Sequence, residues 1–222
     1  MARVPGICFG GVLSPDPIDA SAQSGVVYSM ELSSKYTAVV ELIDRANADD
    51  PVTVEYQGET HPKEVLYAAH HLAWVLRLQP EACECLRIAA KAQHLCRWEI
   101  PRADYPMNRP GYLKWREDLK HFHAKRTGEL MAEAGYDTES IERVQSLNLK
   151  KRLKADADCQ TLEDALCLTF LELGFDDLIK KYDEAKIVSI VQKTTLKMSD
   201  AGKALIATIK FSEAGQHVLA QL

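Results

Sequence analysis

The residues of this chain best suited to chemistry are Gln93 and His94, side by side in the Ala-rich run LRIAAKAQHLC, and Asp164, set in the late apolar run TLEDALCLTFLEL. An imidazole among apolar side chains must either satisfy its two nitrogens locally or hold something. The sequence leaves open whether His94 is a satisfied core histidine or a ligand contact, with Gln93 beside it as a substrate contact. A carboxylate in the middle of an apolar helix is costly to bury unpaired, so Asp164 is either one half of a structural ion pair or a functional base. Glu163 is its companion, as a general acid or base or as the partner of a lysine on the next helix. His70 and His71 are adjacent, about 100 degrees apart on a helix, so at most one of them faces a given site.

The segment WEIPRADYPMNRPGYLKWR follows His94 directly and interleaves arginines with aromatics. Arg97, Arg102, Arg109 and Arg116 can fork onto phosphate or carboxylate oxygens, and Trp98, Tyr105, Tyr112 and Trp115 can stack a base or ring. These residues read as a landing place for a phosphate-bearing small molecule or an RNA. The competing reading is that the arginines stack on the aromatics and clamp the loop. The run LKKRLK at 149–154 reads as a solvated helix face, with an RNA-contact patch as the alternative.

These residues need a scaffold of sufficient size, and 222 residues with 46% hydrophobic content fit one domain able to bury a core without disulfides. The six cysteines form no CxxC pair, which suits free thiols in a reducing compartment. No apolar run approaches the roughly 20 residues of a membrane helix. The N-terminal run Val4 to Leu13 carries Pro5, Gly6, Gly10 and Gly11 and makes a poor signal-peptide core, so a cytoplasmic location is expected and an organellar leader stays open. A net charge of −5 argues against bulk nucleic-acid affinity, although the basic residues gather between Arg97 and Lys154. Nothing in the sequence sets the oligomeric state.

Residues 1–32 are rich in Gly, Ser and Pro without periodicity and read as a loosely ordered leader. Residues 33–222 read as an all-α domain of eight or nine helices. Helical spacing predicts elements from Ser33 or Ser34 to about Ala48, from Pro62 to before Pro80, from Pro80 to Trp98 as a central helix carrying Gln93 and His94, and from Pro110 to a cap at Gly135. Asp137 caps the next helix. A further one spans about Thr161 to Leu173, with Gln160, Glu163, Asp164 and Cys167 as one polar stripe. Shorter helices follow at about 176–182, 184–198 and 200–209 and after Ser212. The segment PVTVEY has strand-like composition but no evident partner, so 49–60 reads as a connector.

The strings KEVLYAAHHLAWVLRLQPEACECLRIAAKAQHLCRWEIPRADYP, RPGYLKWREDL, QTLEDALCLTFLE and KTTLKMS together resemble the uncharacterised family of domains of unknown function numbered 4202, over roughly residues 33–210. A more distant similarity in layout is to HD-type phosphohydrolases, which hold a divalent metal with a His, a His-Asp pair and a distant Asp, and cleave phosphate esters with metal-activated water. That resemblance implies an HD-like arrangement of helices and a divalent metal ion held by His71 or His70, or else His61, together with His94 and Asp164. In this chain Gln93-His94 stands where those proteins have their His-Asp pair, which leaves less negative charge to offset a dication. The reading that follows is a metal-dependent phosphohydrolase acting on a nucleotide or other phosphorylated small molecule. The alternatives are a non-catalytic helical module binding RNA, tRNA or a nucleotide, and an interaction protein that has lost its ligands.

Overall fold

The computed structural model describes residues 31–153 and 155–221, so the leader predicted at 1–32 lies almost wholly outside the described residues. The described chain is all-α apart from one small hairpin, with ten α-helices where eight or nine were expected. Helix α1 (Ser34–Ala48) starts where Ser33 Oγ accepts the Tyr36 backbone N–H. Strands β1 (Thr53–Tyr56) and β2 (Glu59–Pro62) then pair antiparallel, with Val54 opposite His61. The strand composition of PVTVEY was therefore meaningful. Its partner is the polar segment ETHP, reached through Gln57 and Gly58, both at positive φ as a tight hairpin turn requires.

Helix α2 (Lys63–Leu78) follows at once. Pro62 offers no side-chain cap, and Asp50 substitutes: one carboxylate oxygen accepts the Glu64 backbone N–H and the other that of Val52. The hairpin and the start of α2 are thereby fixed to the end of α1.

The predicted central helix is shorter than its apolar pattern suggests. Helix α3 runs only from Glu84 to Lys91, and the chain then unwinds through Gln93, His94 and Leu95 to Cys96, which sits in the left-handed region at φ 50. Two tertiary hydrogen bonds hold this break: Asn47 Oδ1 accepts the Cys96 N–H at 3.0 Å, and Gln93 Nε2 donates to Asn148 Oδ1 at 2.8 Å. Gln93 and His94 accordingly sit on a turn.

Helix α4 (Arg109–Glu133) is capped by Asn108 and ends in a Schellman motif, with Gly135 at φ 84 and Tyr136 N–H bonded to Met131 O. It packs against α5 (Thr138–Asn148), capped by Asp137 as expected. Helix α6 (Ala157–Thr169) starts earlier than predicted because Asp156 caps it. It passes through a π turn, Phe170–Gly174, into α7 (Phe175–Ile179). Helices α8 (Glu184–Thr195), α9 (Asp200–Ile206) and α10 (Glu213–Leu219) follow, each started by the Asp or Ser that the sequence marks.

The core is built from one face of each long helix. Ile43, Val75, Leu86, Ile88, Leu95, Met131, Leu147, Leu162 and Leu168 are all fully enclosed. Helix α2 lies along α6 and α3, and α5 closes the far side of α3, so the broken end of α3 opens between α2, α4 and α6.

Candidate functional site

At that opening lies a cavity of about 410 Å³, within the size range of small-molecule sites. Its innermost side chains are histidines. His71 on α2 and His123 on α4 are 1% and 5% exposed, and His94 on the α3 turn lies between them, with ring centroids 5.0 Å from His71 and 6.2 Å from His123. Among the described residues, His71 Nδ1 and His123 Nε2 have no hydrogen-bond partner. Burial pushes all three imidazoles well below their ordinary range, and the nearby cationic groups push the same way: Arg97 for all three, and Lys150 for His71 and His94. The cluster is neutral at physiological pH.

Beside it, Glu64 Oε2 lies 3.1 Å from His94 Nδ1. Burial pushes the Glu64 carboxyl up to about 7, against the opposing pull of Arg97 and Lys63. A carboxyl and an imidazole in contact, both disfavouring their charged forms, make a pair through which one proton moves at little cost.

The outer walls carry mostly positive charge. Lys63, Arg97, Arg116, Lys120, Lys150 and Lys197 line the cavity, against Glu64 and Glu163 as its only acidic lining residues. Glu163 is ion-paired with Lys150 and, at 3.8 Å, with Lys197; these contacts hold its carboxyl below the usual range despite burial. Glu163 thus takes the lysine-partner role. Lys150 comes from the basic run read as a solvated helix face. It ends α5 in a Schellman motif like that of Gly135, at φ 54, where glycine is the unstrained choice.

Of the other residues singled out in the sequence, Gln93, Arg97, Tyr112 and Arg116 line the cavity. The rest of the arginine-aromatic loop clamps itself. Arg102 donates to the carbonyls of Tyr105 and Pro106 and lies 6.0 Å from the Tyr112 and Trp115 rings. Arg97 lies 4.9 Å from the Trp115 ring, and the Trp115 indole N–H donates to Ile100 O. Tyr105 hydroxyl donates to Asp118, Trp98 packs against the core, and Arg109 is exposed at the start of α4.

The polar stripe on α6 divides. Glu163 and Cys167 face the cavity with Leu166 and Phe170, whereas Gln160 and Asp164 face α9. Asp164 accepts the Ser199 N–H at 2.9 Å, the Ser199 hydroxyl at 2.5 Å and the Gln160 amide at 2.9 Å, and Gly202 packs directly upon it. Its carboxylate is consumed in starting α9. His61 lies on β2 beside Glu59 and does not line the cavity, and His70 turns away to Glu172, which also accepts from Trp74.

The ligand set implied by the HD resemblance, His71 or His70, or else His61, with His94 and Asp164, is therefore not assembled, because Asp164, His61 and His70 are held elsewhere. Among the described residues no group of three or more His, Cys, Asp or Glu side chains is spaced to hold a metal ion. Six cationic side chains on the walls favour an anion in the cavity.

Residues 37–219 match the family model for a domain of unknown function, DUF4202. The chain belongs to that family. No curated protein and no solved structure matches it. In this DUF4202 chain the match spans every residue that lines the cavity, from Lys63 to Lys197. Among the described residues, no helix is long and apolar enough to cross a membrane. Glu64, His123 and Lys197 line the site without having stood out in the sequence, and Lys150 lines it from within the basic run at 149–154.

Proposed function

We propose that this protein is a phosphohydrolase acting on a phosphorylated small molecule held in the cavity, without the metal-ligand set of the HD layout. One observation carries the reading: Glu64 and His94 lie in hydrogen-bond contact within a cavity walled by six cationic side chains. Arg97, Arg116 and Lys150 supply fixed positive charge for phosphoryl oxygens, and such charge in a partly desolvated site stabilises the charge that develops as the ester bond breaks. With Glu64 ionised, its carboxylate accepts from His94 Nδ1 and leaves the other ring nitrogen as a base. That nitrogen takes a proton from the attacking water, the P–O bond to the leaving group breaks, and the proton ends on the leaving oxygen.

The test is a screen of phosphate monoesters for phosphate release, with the His94→Asn and Arg97→Ala variants alongside. Removal of a positioned base is expected to lower kcat by about 100-fold or more with little change in KM, and Arg97→Ala to raise KM. No release and no binding of any phosphate ester by the folded parent would refute the proposal. Salt-dependent RNA binding in its place would select the binding-module alternative.

A further inference from the structure

Resting on the phosphate-binding reading, the question is which end of the ligand meets the histidine floor. Charge and depth are sorted in this cavity. Arg116 and Lys197 are exposed, whereas His71, His123 and Gln93 at the floor are buried. Two of those floor residues each leave one imidazole nitrogen without a partner in a chain whose other buried polar side chains are mostly paired. A buried polar atom without a partner costs on the order of 1–3 kcal/mol, so a floor with two such atoms is built to be completed by something that enters.

We infer that the floor receives an uncharged, hydroxyl-bearing part of the ligand, so that the substrate class is a phosphorylated sugar or polyol with its phosphate at the cationic rim. A neutral imidazole has one donor and one acceptor nitrogen, and His71 and His123 offer either a donor or an acceptor according to tautomer. A hydroxyl both donates and accepts and pairs with either form. A carbonyl or an ammonium pairs with only one, and an ammonium would also meet Arg97 and Lys150. Leu119 and Leu166 complete the lining, as suits the carbon framework of a ring. The same hydroxyls are carried by the ribose of a nucleotide, so the shared chemistry is a phosphorylated polyhydroxy ring.

The experiment is calorimetric titration of the parent with glucose 6-phosphate, adenosine monophosphate, cyclohexyl phosphate and inorganic phosphate, repeated with His123→Leu. Glucose 6-phosphate or adenosine monophosphate is expected to bind at least about tenfold more tightly than both cyclohexyl phosphate and inorganic phosphate. Whichever of the first two binds more tightly identifies a free sugar or a nucleoside as its source. His123→Leu is expected to erase the preference over cyclohexyl phosphate while leaving the affinity for inorganic phosphate unchanged. Should that variant not fold, the parent's ratio decides alone. Cyclohexyl phosphate binding as tightly as the hydroxylated esters would overturn the inference and leave the phosphate site standing. Inorganic phosphate binding as tightly as any ester, with proton uptake, would overturn it by placing the phosphate on the floor. Failure of all four probes to bind would remove the phosphate reading itself.

Discussion

Glu64 and His94, 30 residues apart in the chain, meet at 3.1 Å between Oε2 and Nδ1, in surroundings that leave the carboxyl protonated up to about pH 7. The folded state therefore holds a proton that the unfolded chain releases near the ordinary glutamate value. That stabilising contribution is complete below about pH 4.5 and is lost as pH rises through 7. Replacing Glu64 by Gln removes the dependence. Between pH 4 and pH 8, Glu64→Gln should gain about 3 kcal/mol of stability relative to the parent, read from urea unfolding, while losing phosphate release. A constant difference across that range would show that the carboxyl is not raised.

The three cavity histidines act with the opposite sign. Their folded forms stay neutral where the unfolded chain takes up protons near 6.5, so their contribution is complete above that pH and declines as pH falls below it. Each makes stability fall as pH drops below about 6.5, by at most about 1.4 kcal/mol per pH unit while its folded form stays neutral, and Glu64 acts in the opposite sense. His123→Gln is expected to flatten the parent's slope by one histidine's share. An unchanged slope would mean that His123 titrates normally in the fold.

Lys150 holds a left-handed backbone position while its side chain reaches Glu163 in the cavity. Comparison of Lys150→Gly with Lys150→Ala separates the two roles, since both lose the ion pair and only glycine relaxes the backbone. The glycine variant should be more stable than the alanine variant by about 1 kcal/mol, with phosphate-ester binding equally weakened in both. Unimpaired binding in either would remove Lys150 from the site.

Asp164 is expected to matter for stability alone. Asp164→Ala leaves the Ser199 N–H and hydroxyl at the start of α9 without their acceptor and should cost about 2–3 kcal/mol in chemical unfolding, with ligand affinity of the folded variant within twofold of the parent. Lost affinity without lost stability would return Asp164 to the functional site.

The helices were legible where local chemistry decides them. Asp137, Asp183 and Ser199 each announce a helix start because their side chains accept a first-turn N–H. The break after Ala92 was not legible. The run through AAKAQHLC stays apolar and helix-forming, and what stops it is Asn47 and Asn148, each about 50 residues away in sequence. The same reason hid the site. His94 was visible as an odd residue in an apolar run, but Glu64 looks like an ordinary first-turn acid and Lys150 like one more cation in a basic run. Only the packing of α2, α5 and α6 brings them together. Asp164 shows the converse: its apolar surroundings pointed to an ion pair or a functional base, and its carboxylate instead accepts hydrogen bonds from Ser199 and Gln160, neither of which the sequence marks as its partner.

The π turn at Phe170–Gly174 gives α6 and α7 different rotational phases within one unbroken helical run. Up to its first residue, Glu163, Leu166, Cys167 and Phe170 form a single stripe along the cavity. Beyond it, Phe175 is buried against Phe211 and Gly215 near α10. A wide turn accommodates one residue more than the α-helical winding, so deleting one residue between 170 and 174 would restore regular winding and leave α7 near its present orientation, whereas a deletion within α6 itself would swing everything downstream by about 100 degrees. The segment thus works like an expansion joint: it takes up one residue of slack, so that the cavity wall and the seat of the last helix each keep their own setting along one helical run.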